Sequence, residues 1–169
     1  MAQRDLHNLV KCFNAFNTQS ITTNTTTYGN AIDTQGYDST EFVLQAGTLD
    51  GTTVLTPIIQ QADDVGFSVN VVTVVDPFLI GTTAITDPGT PPGPNPAFTN
   101  ANAGSVTTAL ADATFRGSPS ESNKVARIGV LNKQRFVRLG LTSATTSGST
   151  MSAIAVLSNS HMPSTPKDK

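Results

Sequence analysis

The chain has 169 residues, one domain's worth of sequence and enough to bury a sizeable core. Charged residues make up only 13%, Thr, Ser and Asn number 26, 14 and 12, and Glu occurs twice, which argues against an all-α fold because helix surfaces are normally built from Glu, Lys, Gln and Arg. A net charge of −2 with one cysteine excludes a nucleic-acid binder of the usual basic kind and an internal disulfide, and no apolar run approaches the roughly 20 residues of a membrane-spanning helix.

Short β-type runs recur between turn signals, the pattern of a sandwich or barrel. At the N-terminus Leu6, Leu9, Val10, Phe13 and Phe16 have helical spacing, whereas Val10, Cys12 and the Thr-rich run that follows fit an extended arm over about residues 1–24. Glu41–Ala46 reads as a strand ended by Gly47 and the Leu49-Asp50-Gly51 turn. Thr52–Gln61 follows, with Pro57 placing it at an edge or bulge. After a turn at Ala62–Gly66, Gly66–Val75 reads as the next strand. There Phe67, Val69, Val71 and Thr73 alternate with Ser68, Asn70 and Val72, half-buried at first and then buried on both faces. Asp76-Pro77 breaks the run, and Phe78–Ile80 adds a short apolar piece.

A Pro-rich insertion spans about residues 83–123. Five of the ten prolines fall between Pro88 and Pro96, a stretch poor in ladder donors and suited to extended geometry. Ser105–Arg116 returns as a strand or a short helix. Lys124–Val130 and Gln134–Thr142 flank Leu131-Asn132-Lys133 and read as a hairpin. Phe136 and Arg138 would share one of its faces, with Arg135, Val137, Leu139 and Leu141 on the other. Ser143–Ser149 is a small-residue loop, Thr150–Ser158 a last, nearly apolar strand, and about 160–169 a flexible tail. The pattern is all-β, with residues 1–169 forming a single β-sandwich.

The charges are segregated. Between Cys12 and Phe115 lie nine acids and no Lys or Arg, and from Arg116 to Arg138 six bases and one acid. Acidic loops facing the 124–139 segment would satisfy part of this split. Acidic and basic faces of neighbouring copies meeting across an oligomer interface would satisfy the rest, and such an interface weakens with salt.

Residues equipped for catalysis are sparse. The two histidines, His7 and His161, lie near the termini, and His7 is five residues from Cys12. No nucleophile elbow, phosphate-binding loop or dinucleotide fingerprint occurs. One Cys with terminal histidines makes a zinc site improbable. Asp63 and Asp64, with Asp33, Asp38 and Asp50 in other loops, could cluster around Ca²⁺, but Asp also favours turns through its own backbone bonds. Nothing places Glu41 and Glu121 together as a glycosidase pair. Beyond the eight Phe, only Tyr28 and Tyr37 could stack on a sugar. The expectation is a protein that is not an enzyme, with no cofactor, no metal and no small-molecule substrate.

Several strings resemble, in their order, a family of small virion proteins encoded near the head genes of tailed bacteriophages. They are Arg4-Asp5-Leu6 with Asn8–Lys11, Ile32–Ser39 leading into Phe42-Val43-Leu44, Gln60–Asp64, Leu79–Thr82, Val125–Gly129 with Lys133–Leu139, and Ser152–Leu157. The resemblance covers most of the chain outside residues 83–123. It implies a capsid decoration (cement) protein, a jelly-roll-like β-sandwich on the outer shell, often a trimer at three-fold positions, with no catalytic residues to carry over. The chain departs from the family in the long insertion before its Arg-Ile-Gly segment.

The resemblance makes the major capsid protein and further copies of the chain (a homotrimer) the expected partners, with no nucleic acid and no membrane. The protein would be made in a host bacterial cytoplasm and located on the outer surface of the virion. The N-terminal arm, the proline loop and the C-terminal tail have least to do inside one sandwich and would carry much of the contact, and the basic segment Arg116–Arg138 reads as a solvated or inter-subunit face. The expected partner-binding residues are therefore Phe13, Phe16, Pro91, Pro92, Pro94, Arg127, Arg135 and Arg138. The alternative is a receptor- or carbohydrate-binding head spike or fibre module.

Overall fold

The computed structural model of the chain describes residues 10–22, 24–49, 51, 53–74, 79–85, 115–116, 123–144 and 148–160. Among these there are strands and no helix. In chain order they are β1 (Lys11–Ile21), β2 (Thr26–Tyr28), β3 (Ile32–Asp33), β4 (Tyr37–Ala46), β5 (Val54–Ala62), β6 (Val72–Thr73), β7 (Leu79–Ile85), β8 (Phe115–Arg116), β9 (Val125–Leu131), β10 (Phe136–Ser143) and β11 (Ser149–Ser160). They form two antiparallel sheets, one ordered β1-β11-β4-β9-β7 and the other β2-β10-β5-β6, with β3 added to β10 and β8 to β5.

Period-two alternation builds the core. Phe42, Leu44 and Ala46 of β4, Ala126, Ile128 and Val130 of β9, and Met151, Ala153, Ala155 and Leu157 of β11 are buried from the first sheet. Leu55 and Ile59 of β5 and Val137, Leu139 and Leu141 of β10 are buried from the second, and all belong to one apolar cluster. Each fully buried Leu, Ile or Phe contributes about 1.5–3 kcal/mol relative to exposure. β5 lies between β10 and β6 rather than at the edge of its sheet. Pro57 faces Leu141 of β10, and among the described residues the other flank of β5 is joined by β6 at Gln60–Gln61 and by β8 at Val54–Leu55, leaving Pro57 between those two pairings.

Three expectations are corrected. The 124–142 segment is not a hairpin, because β9 pairs with β4 and β7 while β10 pairs with β5, β2 and β3. Residues 132–135 therefore cross from one sheet to the other. The alternation of Ala126, Ile128 and Val130 with Val137, Leu139 and Leu141 holds as well for strands facing each other across a core as for neighbours in one sheet. The crossing is held by side chains: Gln61 donates from Nε2 to the Leu131 carbonyl at 2.7 Å and accepts at Oε1 from Lys133 N (2.9 Å) and Gln134 N (3.1 Å). On the other side Thr40 donates to Asn132 Oδ1 at 2.8 Å, and Asn132 Nδ2 donates to the Tyr37 carbonyl at 3.0 Å.

Secondly, the expected Gly66–Val75 strand is not formed over its described residues, 66–74. Only Val72–Thr73 pair, Phe67 and Asn70 have φ of 53° and 51°, and Val69, Val71 and Val72 are exposed. Local bonds to Asp64, described below, displace the ladder. Thirdly, residues 11–21 are not a free arm but the edge strand β1, paired along β11 with register shifts between Asn14 and Phe16 and between Phe16 and Gln19. The irregularity turns both Ala15 and Phe16 inward. Asn30 N donates to the Ala15 carbonyl and Asn30 Nδ2 to the Asn14 carbonyl, so part of the open edge is covered by the chain itself. The 83–123 insertion begins later than expected, since β7 continues to Ile85. Pro91, Pro92, Pro94, His7, His161 and residues 161–169 lie outside the described residues.

Candidate interaction surface

Seven large apolar side chains are exposed among the described residues, and four of them, Val65, Val69, Val71 and Val72, lie in the segment between β5 and β6 or at its end. Val65 is 66% exposed. These valines stand on a pinned loop. The Asp64 carboxylate accepts from Val69 N at 2.7 Å, Ser68 N at 2.8 Å, Ser68 Oγ at 2.9 Å and Gly66 N at 3.1 Å. Those donors, led by the Val69 amide, hold its pKa below the ordinary 3.8. Asn70 Nδ2 donates to Asp63 at 2.6 Å, and Gln134 Nε2 reaches across from the sheet crossing to the Asn70 carbonyl at 2.5 Å. Phe67 is 9% exposed and packs its ring against the Arg138 guanidinium rather than into the core cluster, anchoring the loop. The positive φ at Phe67 and Asn70 is what allows successive amides to converge on one carboxylate.

Beside this loop Arg138 of β10 is held between two rings. Its guanidinium carbon lies 3.9 Å from the Tyr28 ring centroid and 4.0 Å from that of Phe67. Nε and Nη2 both donate to Gln60 Oε1, at 3.0 and 2.7 Å. Gly140 makes room for Tyr28. A Cβ there would stand 2.8 Å from Tyr28 Cδ1 and 2.8 Å from Ile58 Cγ2. Register places Arg138 opposite Gln60 and Gln60 opposite Thr73, and Tyr28 opposite Gly140. Tyr28, Arg138 and Gln60 thus form one outward-facing group beside the valine loop.

The expected contact residues are dispersed. Phe13 is 38% exposed on β1, Phe16 is 1% exposed and belongs to the core, so it is not available to a partner, and Arg127 pairs with Glu41 at 3.6 Å on the outer face of the first sheet. Burial raises the Glu41 pKa above 4.5 despite Arg127. Arg135 pairs with Asp33 at 2.9 Å, and that hydrogen bond lowers the Asp33 pKa. Both ion pairs join the acidic half of the sequence to the basic segment within one chain. Among the described members of the expected group, only Arg138 sits in the aromatic cluster. Sequence reasoning missed Phe67 and the valines as surface features. Their signal was Asp64 followed by Gly66 and Ser68, the spacing of a carboxylate-centred turn.

Among the described residues no group of three or more His, Cys, Asp or Glu side chains could hold a metal ion, and the Asp64 oxygens are occupied by loop donors. The arrangement can form contacts: a stiff apolar loop and an orientation-locked arginine are the materials of a protein interface. Compared with known proteins, the chain matches no family model, no curated protein and no solved structure.

Proposed function

We propose that this chain is a capsid decoration protein, a structural component of a bacteriophage particle that docks on the outer surface of the assembled shell and stabilises it. On this reading it is made in the bacterial cytoplasm and partners the major capsid protein and its own copies in a trimer. Its work is contact rather than catalysis. The starting point is the ordered resemblance of Ile32–Ser39, Gln60–Asp64, Val125–Gly129 and Lys133–Leu139 to the virion family.

The observation that carries it is the valine loop. An apolar surface fixed in advance by four bonds to one carboxylate loses little conformational entropy when it docks, which favours binding. The strand order also supports the finer jelly-roll reading. The pairs β1·β11 and β4·β9 in one sheet and β2·β10 and β5·β6 in the other are pairings that a jelly roll would require, with β7 added at an edge. Several modest contacts per copy, spread over neighbouring shell subunits, would act together through high local concentration.

The test is genetic and physical. Particles assembled without the chain should lose integrity at lower temperature or lower ionic strength than complete ones, and adding the purified protein should restore them. Equal robustness of the two particle types, with no uptake of added protein, would reject the proposal.

A further inference from the structure

We infer that Arg138, clamped between Tyr28 and Phe67, is the docking point for a carboxylate on the shell protein, with the valines of residues 65–72 covering the aliphatic surface around it; this rests on the decoration reading above. A guanidinium carries five donors in a rigid fork. Gln60 Oε1 takes two of them, one on Nε and one on Nη2. The Tyr28 and Phe67 ring centroids stand 3.9 and 4.0 Å from its central carbon, so the donors that Gln60 does not take are the part that can bind. Arg127 and Arg135 each have a carboxylate partner in the chain, whereas among the described residues none pairs with Arg138.

The class of occupant follows from the surroundings. With the Arg138 side of both rings already filled, the cluster lacks a free aromatic sandwich for a base or sugar. The fork geometry of Arg138 suits a planar bidentate acceptor, and the four valines suit a protein surface rather than a free anion. A second copy of this chain is the poorer partner. Its described carboxylates are engaged at home: Asp33 with Arg135, Glu41 with Arg127, Asp63 with Asn70 and Asp64 with its own loop, and Asp38 also has an interaction. Any of these described carboxylates in a docked copy would have to leave its present partner to reach Arg138. Arg and Tyr are also the residue types that dominate binding energy at protein interfaces.

The experiment titrates the purified full chain onto particles that lack it and reads bound protein by sedimentation. Arg138→Lys keeps the charge but loses the fork and the ring stack, and should weaken binding by about thirtyfold, the size of a hot-spot loss. Val69→Asp, at a side chain 50% exposed and therefore harmless to the core, should weaken it comparably by setting a carboxylate against a carboxylate. Ile154→Thr, on the outer face of the other sheet, should bind as the unsubstituted chain does. Full binding by both Arg138→Lys and Val69→Asp would overturn the inference while leaving decoration intact. Loss of self-association instead of particle binding, read by analytical ultracentrifugation, would also overturn it by assigning the site to a second copy. If the unsubstituted chain fails to bind, the decoration reading falls and this inference with it.

Discussion

Replacing Gln61 by leucine keeps the volume of the side chain and removes the three hydrogen bonds that Gln61 makes to the crossing between β9 and β10. Gln61 is 3% exposed. The loss would strand the Leu131 carbonyl and the amides of Lys133 and Gln134, which it now binds at 2.7, 2.9 and 3.1 Å. A buried backbone group without a partner costs about 1–3 kcal/mol. Lys133 is exposed and Gln134 half-exposed, so water offsets part of the loss and the lower end applies, giving about 3–4 kcal/mol in total.

That corresponds to a fall in melting temperature of roughly 10 °C for a chain of this size. In urea the midpoint should drop with an unchanged slope. Gln61→Glu is the companion variant. Ionised, it still accepts from Lys133 and Gln134 but opposes the Leu131 carbonyl, and burial adds to the cost, so its folded pKa lies above the ordinary value near 4.3. A raised folded pKa means stability present below the ordinary value and lost as pH rises through the raised one. Gln61→Glu should therefore approach the parent near pH 4 and fall behind it near pH 7. A Gln61→Leu loss below about 1 kcal/mol, or a Gln61→Glu variant indifferent to pH, would mean the crossing is held by something else.

Gly29→Ala would push a Cβ into the Ala15 carbonyl, which already accepts from Asn30 N. β1 would have to shift, at a cost of about 2–4 kcal/mol by denaturant melt. Gly140→Ala should drive the Tyr28 ring away from Arg138, destabilising by about 1–3 kcal/mol and altering the Tyr28 near-ultraviolet signal; an unchanged signal would contradict the stack. Asp64→Asn should raise hydrogen exchange at the amides of Ser68 and Val69 while leaving β4 and β11 protected, and unaltered exchange would show that the carboxylate does not pin the loop.

The pH dependence has two opposing parts. Asp33 and Asp64, with lowered pKa values, contribute stability above the ordinary carboxylate range that is lost as pH falls through their folded values. Glu41, raised by burial, contributes in the opposite sense, its share being lost as pH rises through its folded value. Glu41→Gln should accordingly change stability at neutral pH by less than about 1 kcal/mol, since pair and surface are both partly solvated. A larger loss would make the Arg127 pair a structural element.

The fold was legible where one face of a strand is buried. The alternation through Phe42, Leu44 and Ala46, and through Val137, Leu139 and Leu141, marks core faces directly. Alternation says nothing about which strand lies beside which, so β9 and β10 looked like a hairpin although they face each other from opposite sheets. The deciding groups are Gln61, Thr40 and Asn132, which act over long sequence separations. Val69, Val71 and Val72 misled for a related reason: β-propensity favours a strand, but a single carboxylate at Asp64 offers the backbone a local alternative. Of the candidate surface, only Arg138 was singled out for binding and Tyr28 as a candidate for sugar stacking. Their union with Phe67 depends on β2, β10 and the loop meeting in space.

The most direct test of the decoration reading is the copy number of this chain in purified particles, counted against the major capsid protein and a tail protein by quantitative mass spectrometry. A decoration protein should be present in copies of the same order as the shell subunits. A handful of copies, in step with the tail protein, or none at all, would contradict it.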